Sequence, residues 1–149
     1  GAGVTYATSA MGADHTAGLV MNPEIDGEDA VVASQNMQIA CAITDSSGFC
    51  MFLSPSVDVI REFYACYFGE DLGDEFVADI GWRCLEDEWA FNDRAGFTRE
   101  DDDLPACMKE EGVGPDKRMV YHIAPDLAAT ARYQRRAAGE ALFKLGAVG

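Results

Sequence analysis

Two short segments carry reactive side chains that helix packing does not explain. His15 stands in "SAMGADHTAG", residues 9–18, and Asp45 and Cys50 bracket the Ser-Ser-Gly turn of "DSSGFC", residues 45–50. A carboxylate and a thiol five residues apart suit a loop that grips two different groups at once. They equally suit a helix end, with Gly48 supplying a left-handed turn and Cys50 starting the next buried run. A lone histidine in a Gly-rich loop is more often a hydrogen-bonded structural residue than a catalytic one. Neither segment decides the matter by itself.

The elements that must position these groups read as helices. Residues 1–27 are rich in glycine and broken by Pro23, which predicts irregular backbone. Asp26 is an N-cap candidate for "EDAVVASQNMQIACAI", a helix of about four turns. In "SPSVDVIREFYACYFG" Ser54 is placed to cap, Pro55 to take the first helical position and Gly69 to end the helix. Its apolar stripe is Ile60, Phe63, Tyr64 and Tyr67. A longer helix spans about residues 74–95, with Phe76, Val77, Ile80, Cys84, Leu85 and Trp89 at helical spacing and Gly96 as the stop. "FTREDDDLP" reads as a solvated loop, because contiguous acids without a glycine do not make a calcium loop. A last helix is predicted over about residues 126–144, capped by Asp126. With no strand pattern and no repeat, the class is all-α, in one domain covering residues 1–149.

Composition narrows the partners. Of 149 residues 48% are hydrophobic and 10% aromatic, so the chain can build a globular core. No apolar run reaches the roughly 18 residues of a membrane span, and no secretory signal is visible. A net charge of −15 disfavours nucleic acid and anionic membrane as partners. Residues 1–60 hold seven acids and no lysine or arginine, Arg61 being the first cation. Such a surface suits contact with other protein or a cofactor. The five cysteines are odd in number and lack a C-x-x-C pair, which supports neither a disulfide framework nor a self-contained zinc site. Cys41, Cys66 and Cys84 fall within helical patterns as small core residues, and a reducing, cytoplasmic setting fits.

Taken together, "MGADHTAG", "DSSGFC" and "RCLEDEWAFNDRAGFTREDDDLP" resemble, in order over about residues 3–105, the C-terminal part of the aldehyde:ferredoxin oxidoreductase family of tungsten-pterin enzymes. The resemblance implies a multihelical C-terminal domain of an enzyme that oxidises a small aldehyde to a carboxylic acid. Its cofactors would be a tungsten (or molybdenum) bis-pterin and a [4Fe–4S] cluster, and ferredoxin would accept the electrons. By the same resemblance Asp45 accepts hydrogen bonds from the pterin edge, Gly48 makes the turn, and Cys50 is one cluster ligand. His15 falls where the family places a proton-moving histidine beside the metal. The family's other three cluster cysteines, its second D-x-x-G motif and its N-terminal pterin cradle are not in this sequence. The chain is therefore expected to be a fragment, inactive and cofactor-free in isolation, whose partner is the N-terminal pterin-binding portion; a homo-oligomer is compatible. The alternatives are a helical interaction domain without redox chemistry and the catalytic subunit of a tungsten-dependent aromatic thioester reductase.

Overall fold

The computed structural model describes residues 1–22, 24–53, 55–117 and 120–135. Within them lie helices α1 (Ala2–Thr8), α2 (Gly27–Ser46), α3 (Val57–Phe68), α4 (Asp74–Ala95), α5 (Ala106–Glu110) and α6 (Pro125–Tyr133). Single 3₁₀ turns occur at His15–Ala17, Met51–Leu53 and Arg99–Asp101. There is no strand among the described residues, and the fold is all-α. No helix among them is long and apolar enough to cross a membrane.

The central element is α2, against which α1, α3, α4 and α6 all pack. The Asp26 carboxylate accepts from Gly27 N at 2.6 Å, and Glu28 and Asp29 occupy the first turn, where the helix dipole favours acids. No breaker follows before Gly48, whose φ of 74° ends the helix. Consequently α2 runs past the four turns expected and takes in Asp45. Its middle, from Ser34 through Ala40, is buried on every side, which is why no clean apolar stripe marks it. Helix α4 is one-sided: Val77, Ala78, Trp82, Leu85 and Trp89 join Ile39, Ile43, Val57 and Ile60 in the larger core. At the α2–α4 crossing a side chain at Gly81 would put Cβ 2.6 Å from the Ile39 carbonyl oxygen. A second core gathers Val4, Ala30, Val31, Ile123, Ala128 and Ala131 between α1, α2 and α6.

Several expectations are corrected. The start of the chain is not irregular throughout, since Ala2–Thr8 is helical. Val4 and Ala7 are buried there, and the buried Thr5 and Thr8 hydroxyls are satisfied by Ser34 Oγ at 2.7 Å and by Val4 O at 2.8 Å. Pro23 and Ser54 lie outside the described residues. Ser56 caps α3 by accepting from Val59 N, so Pro55 precedes the helix instead of opening it. Of the α3 stripe only Ile60 is fully buried; Phe63 and Tyr67 are exposed, as are Phe76 on α4 and Cys66. Helix α6 begins with Pro125 at its first turn and Ala124 at the cap. Asp126 binds Arg99 at 2.9 Å instead of capping. The part of that helix expected beyond residue 135 lies outside the described residues.

The acid run of "FTREDDDLP" is not simply solvated. Asp101 closes a capping box with Thr98. Asp102 pairs with the buried Arg132 at 2.9 Å, and Asp103 pairs with Lys109 and accepts from Leu104 N. Asp102 and Asp103 thus fasten the chain after α4 back onto α6 and α5, while Asp101 fixes the local turn.

Candidate functional site

The "DSSGFC" segment is the C-terminal end of α2 and the turn beyond it. Asp45 sits in the last helical turn, while Ser47 Oγ bonds to Ile43 O at 2.6 Å and lies 3.0 Å from Tyr64 Oη on α3. Gly48 reverses the backbone; a Cβ there would meet nothing within 4 Å, so the positive φ alone selects glycine. Phe49 turns inward against the larger core and sets its ring edge-on to Phe63 at 5.4 Å. Cys50 turns outward and is exposed, followed by the exposed Met51, Phe52 and Leu53. A buried run beginning at Cys50 is therefore ruled out.

Around Asp45 the electrostatics are one-signed. Burial raises its carboxyl above the usual carboxylate range. Burial also raises Glu88 on α4, and the charge of Asp45 raises it further. The Cys41 thiol is pushed up to about 11, first by burial and then by Asp45. Cys84 is raised mainly by burial, its Sγ lying 3.8 Å from Glu88 Oε1. No side-chain hydrogen bond or ion pair engages the Asp45 carboxylate among the described residues, so its acceptors are open. The residue is nonetheless exposed, so burial shields the carboxylate only in part, and its open acceptors suit N–H donors brought by another molecule.

His15 opens the 3₁₀ turn at His15–Ala17. Asp14 caps that turn, its Oδ1 accepting from Thr16 N at 2.7 Å and Thr16 Oγ1 at 2.8 Å. Those two bonds, the backbone one foremost, hold the Asp14 carboxyl below its ordinary value. The imidazole itself is exposed, with Nδ1 3.9 Å from Asp14 Oδ1. Gly18 then lies flat on α2, where a Cβ would come within 2.9 Å of Gln38 N. The His15 loop and the Asp45–Cys50 turn thus both rest on α2, one at residue 38 and the other at residue 45, roughly 10 Å apart along the axis. A groove of about 410 Å³ opens beside the His15 loop, lined by Ala10, Met11, Asp87, Glu88, Phe91 and Asn92.

The residues fit a hydrogen-bonded cofactor edge at Asp45 better than they fit a complete metal centre. Among the described residues no group of three or more His, Cys, Asp or Glu is placed to hold a metal ion. Cys50 presents a single outward thiol, and by itself it completes no metal centre.

Sequence reasoning missed Glu88, Asn92 and Arg132, and it read Trp89 only as core. Trp89 Nε1 donates to Thr8 O at 2.9 Å, and Asn92 Nδ2 donates to Ala10 O at 2.8 Å. The readable signal was Asn92 itself, a poor helix former inside a long helix, where a side-chain bond must offset its propensity. Arg132 gave no signal in the sequence. Residues 1–137 match the family model described as aldehyde ferredoxin oxidoreductase, domains 2 and 3. No curated protein and no solved structure matches the chain.

Proposed function

The chain belongs to the aldehyde ferredoxin oxidoreductase family, and we propose that it is the helical part of an enzyme oxidising a small aldehyde to a carboxylic acid. Its working partners are then the pterin-binding remainder of the enzyme and ferredoxin, in the cytoplasm. One observation supports this reading: the turn at residues 45–50 presents an exposed carboxylate with open acceptors and an outward thiol at the end of α2.

In this reading Asp45 accepts the paired N–H donors of a pterin edge, and Cys50 gives one thiolate to a [4Fe–4S] cluster. Gly48, with φ 74°, makes the turn between the two. The tungsten (or molybdenum) bis-pterin supplies two-electron oxidation when bound, and the cluster passes electrons on singly. His15, exposed on its capped turn, takes the proton released as water adds to the aldehyde carbon and returns it to solvent. In isolation the chain contributes one cluster thiolate and one pterin contact, and it retains neither group.

The test uses the full enzyme polypeptide. Asp45→Ala should reduce pterin occupancy, with a loss on the scale of about 1.5–3 kcal/mol for a hydrogen bond to a charged group. Cys50→Ser should alter the cluster's electron-spin signal or its reduction potential while pterin occupancy holds, because oxygen is a poorer partner than sulfur for this iron. Wild-type cofactor content and cluster spectra in both variants would refute the assignment.

A further inference from the structure

The loop at residues 9–18 is packed at its ends, Ala10 against the larger core and Ala17 buried, while Met11, Gly12, Ala13 and His15 between them are exposed. Its interior bonds are local: Met11 N to Ser9 Oγ at 3.1 Å, Gly12 N to Ser9 O at 3.0 Å and Asp14 N to Gly12 O at 2.7 Å. Met11 is 53% exposed, and the groove beside it separates Ala10 and Met11 from the Glu88–Phe91 flank of α4. Beyond Ala10, side-chain contact across that gap does not fix the exposed middle of the loop. Hydrogen bonds add the directional restraint.

The far end of the loop is tied by the Asp14–Thr16 cap and by Gly18 against α2. The near end departs from the C-terminus of α1, where Ser9 turns extended at φ −65° and ψ 137°. There Trp89 Nε1 takes the Thr8 carbonyl and Asn92 Nδ2 takes the Ala10 carbonyl. These two donors stand three residues apart on one face of α4. Gln38 Nε2 adds a bond to Thr8 Oγ1 at 3.1 Å from α2, so Thr8 is held by two helices while Ala10 is held by Asn92.

We infer that Asn92, supported by Trp89, is a positioning residue that fixes the His15 loop by hydrogen-bonding the carbonyls from which the loop departs. This rests on the proton-moving role proposed for His15. It also accounts for the "EWAFNDRAG" part of the third motif, since α4 holds in register a loop about 80 residues earlier in the chain. Asn92 touches neither substrate nor cofactor in this scheme and acts only through the loop. A displacement of the order of 1 Å at a reacting group can cost about a hundredfold in rate. Loss of this bond should therefore show in turnover before it shows in folding.

The experiment compares Asn92→Asp, which keeps the shape and loses the donor, with Asn92→Leu and Asn92→Gln in the full enzyme polypeptide. Asn92→Asp and Asn92→Leu should lower kcat by roughly 10- to 100-fold with KM, metal content and melting temperature near wild type. Amide exchange at residues 11–17 should quicken while that of α2 does not. Asn92→Gln, which retains an amide donor, should recover part of the rate. Combined with His15→Ala, the Asn92→Asp change should add no further loss, because it acts through His15. Wild-type exchange and turnover in Asn92→Asp, or a loss that adds fully to that of His15→Ala, would overturn the inference. If His15→Ala alone keeps normal turnover, it is the proposed role of His15 that fails, and the exchange result in Asn92→Asp still decides whether Asn92 anchors the loop.

Discussion

Arg132 is the most consequential residue of the tail, and Arg132→Met should show it. The arginine side chain is 4% exposed and bonds two carboxylates, Asp93 on α4 and Asp102 in the acidic run. Burial lowers the tendency of the guanidinium to hold its proton, but the bonds to Asp93 and Asp102 more than reverse this. Asp102, 11% exposed, is raised by burial even with the arginine beside it. Removing the cation strands that carboxylate in a poor solvent. Breaking a buried pair in this way costs about 3–5 kcal/mol, and because Asp93 is 54% exposed and can rehydrate, the lower end applies, about 3 kcal/mol. At roughly 1.4 kcal/mol per factor of ten, amide exchange in α6 should quicken about a hundredfold at pH 7. The sign of the pH effect follows from Asp102. Its folded pKa is raised, so the folded state holds the proton longer, and the defect of the variant should shrink as pH falls through that raised value. Native-state hydrogen exchange on the α6 segment at pH 7 and pH 5, corrected for intrinsic rates, checks both points. An acceleration below about fivefold, or a defect that grows on acidification, would refute the reasoning.

Two further outcomes follow from the α2–α4 contact. Gly81→Ala should destabilise by roughly 1–3 kcal/mol despite alanine's better helix propensity, because the new Cβ would lie 2.6 Å from Ile39 O and 2.8 Å from Ile43 Cγ1; a raised denaturation midpoint would contradict the crossing geometry. Glu88→Gln should stabilise at pH 7, since burial and the Asp45 charge both raise the Glu88 carboxyl and its ionised form is disfavoured in the folded state. That gain should shrink as pH falls and vanish only by about pH 3, well below the unfolded pKa of about 4.3, and melting curves at the two pH values test it.

Local chemistry sufficed for much of the helical frame. Apolar spacing located α4 from Asp74 to Ala95, and Gly48, Gly69 and Gly96 end α2, α3 and α4 in the left-handed region, because a helix stop is written in one residue's freedom to take positive φ. Asp26 was legible as a cap for the same reason: its partner is the next residue. The motif segments were legible as unusual, and the resemblance they carry agrees with the family match. Tertiary structure decided the rest. The sequence of α1 has no apolar stripe, and it is helical because Thr5 and Thr8 find partners on a helix nearly 30 residues away. The α3 stripe looks like core, yet Phe63 keeps about half its surface exposed beside Phe49 and Tyr67 is mostly exposed, since periodicity records which residues share a face and not how far the described residues cover it. Whether Cys50 points inward or out depends on Phe49 finding Phe63 on the next helix. The partners of Asp93, Asp102 and Asn92 lie 30 or more residues away in sequence, and no local spacing rule reaches them. Such pairs exist only once the helices have packed and brought a buried donor within reach of an acceptor that would otherwise be left unsatisfied.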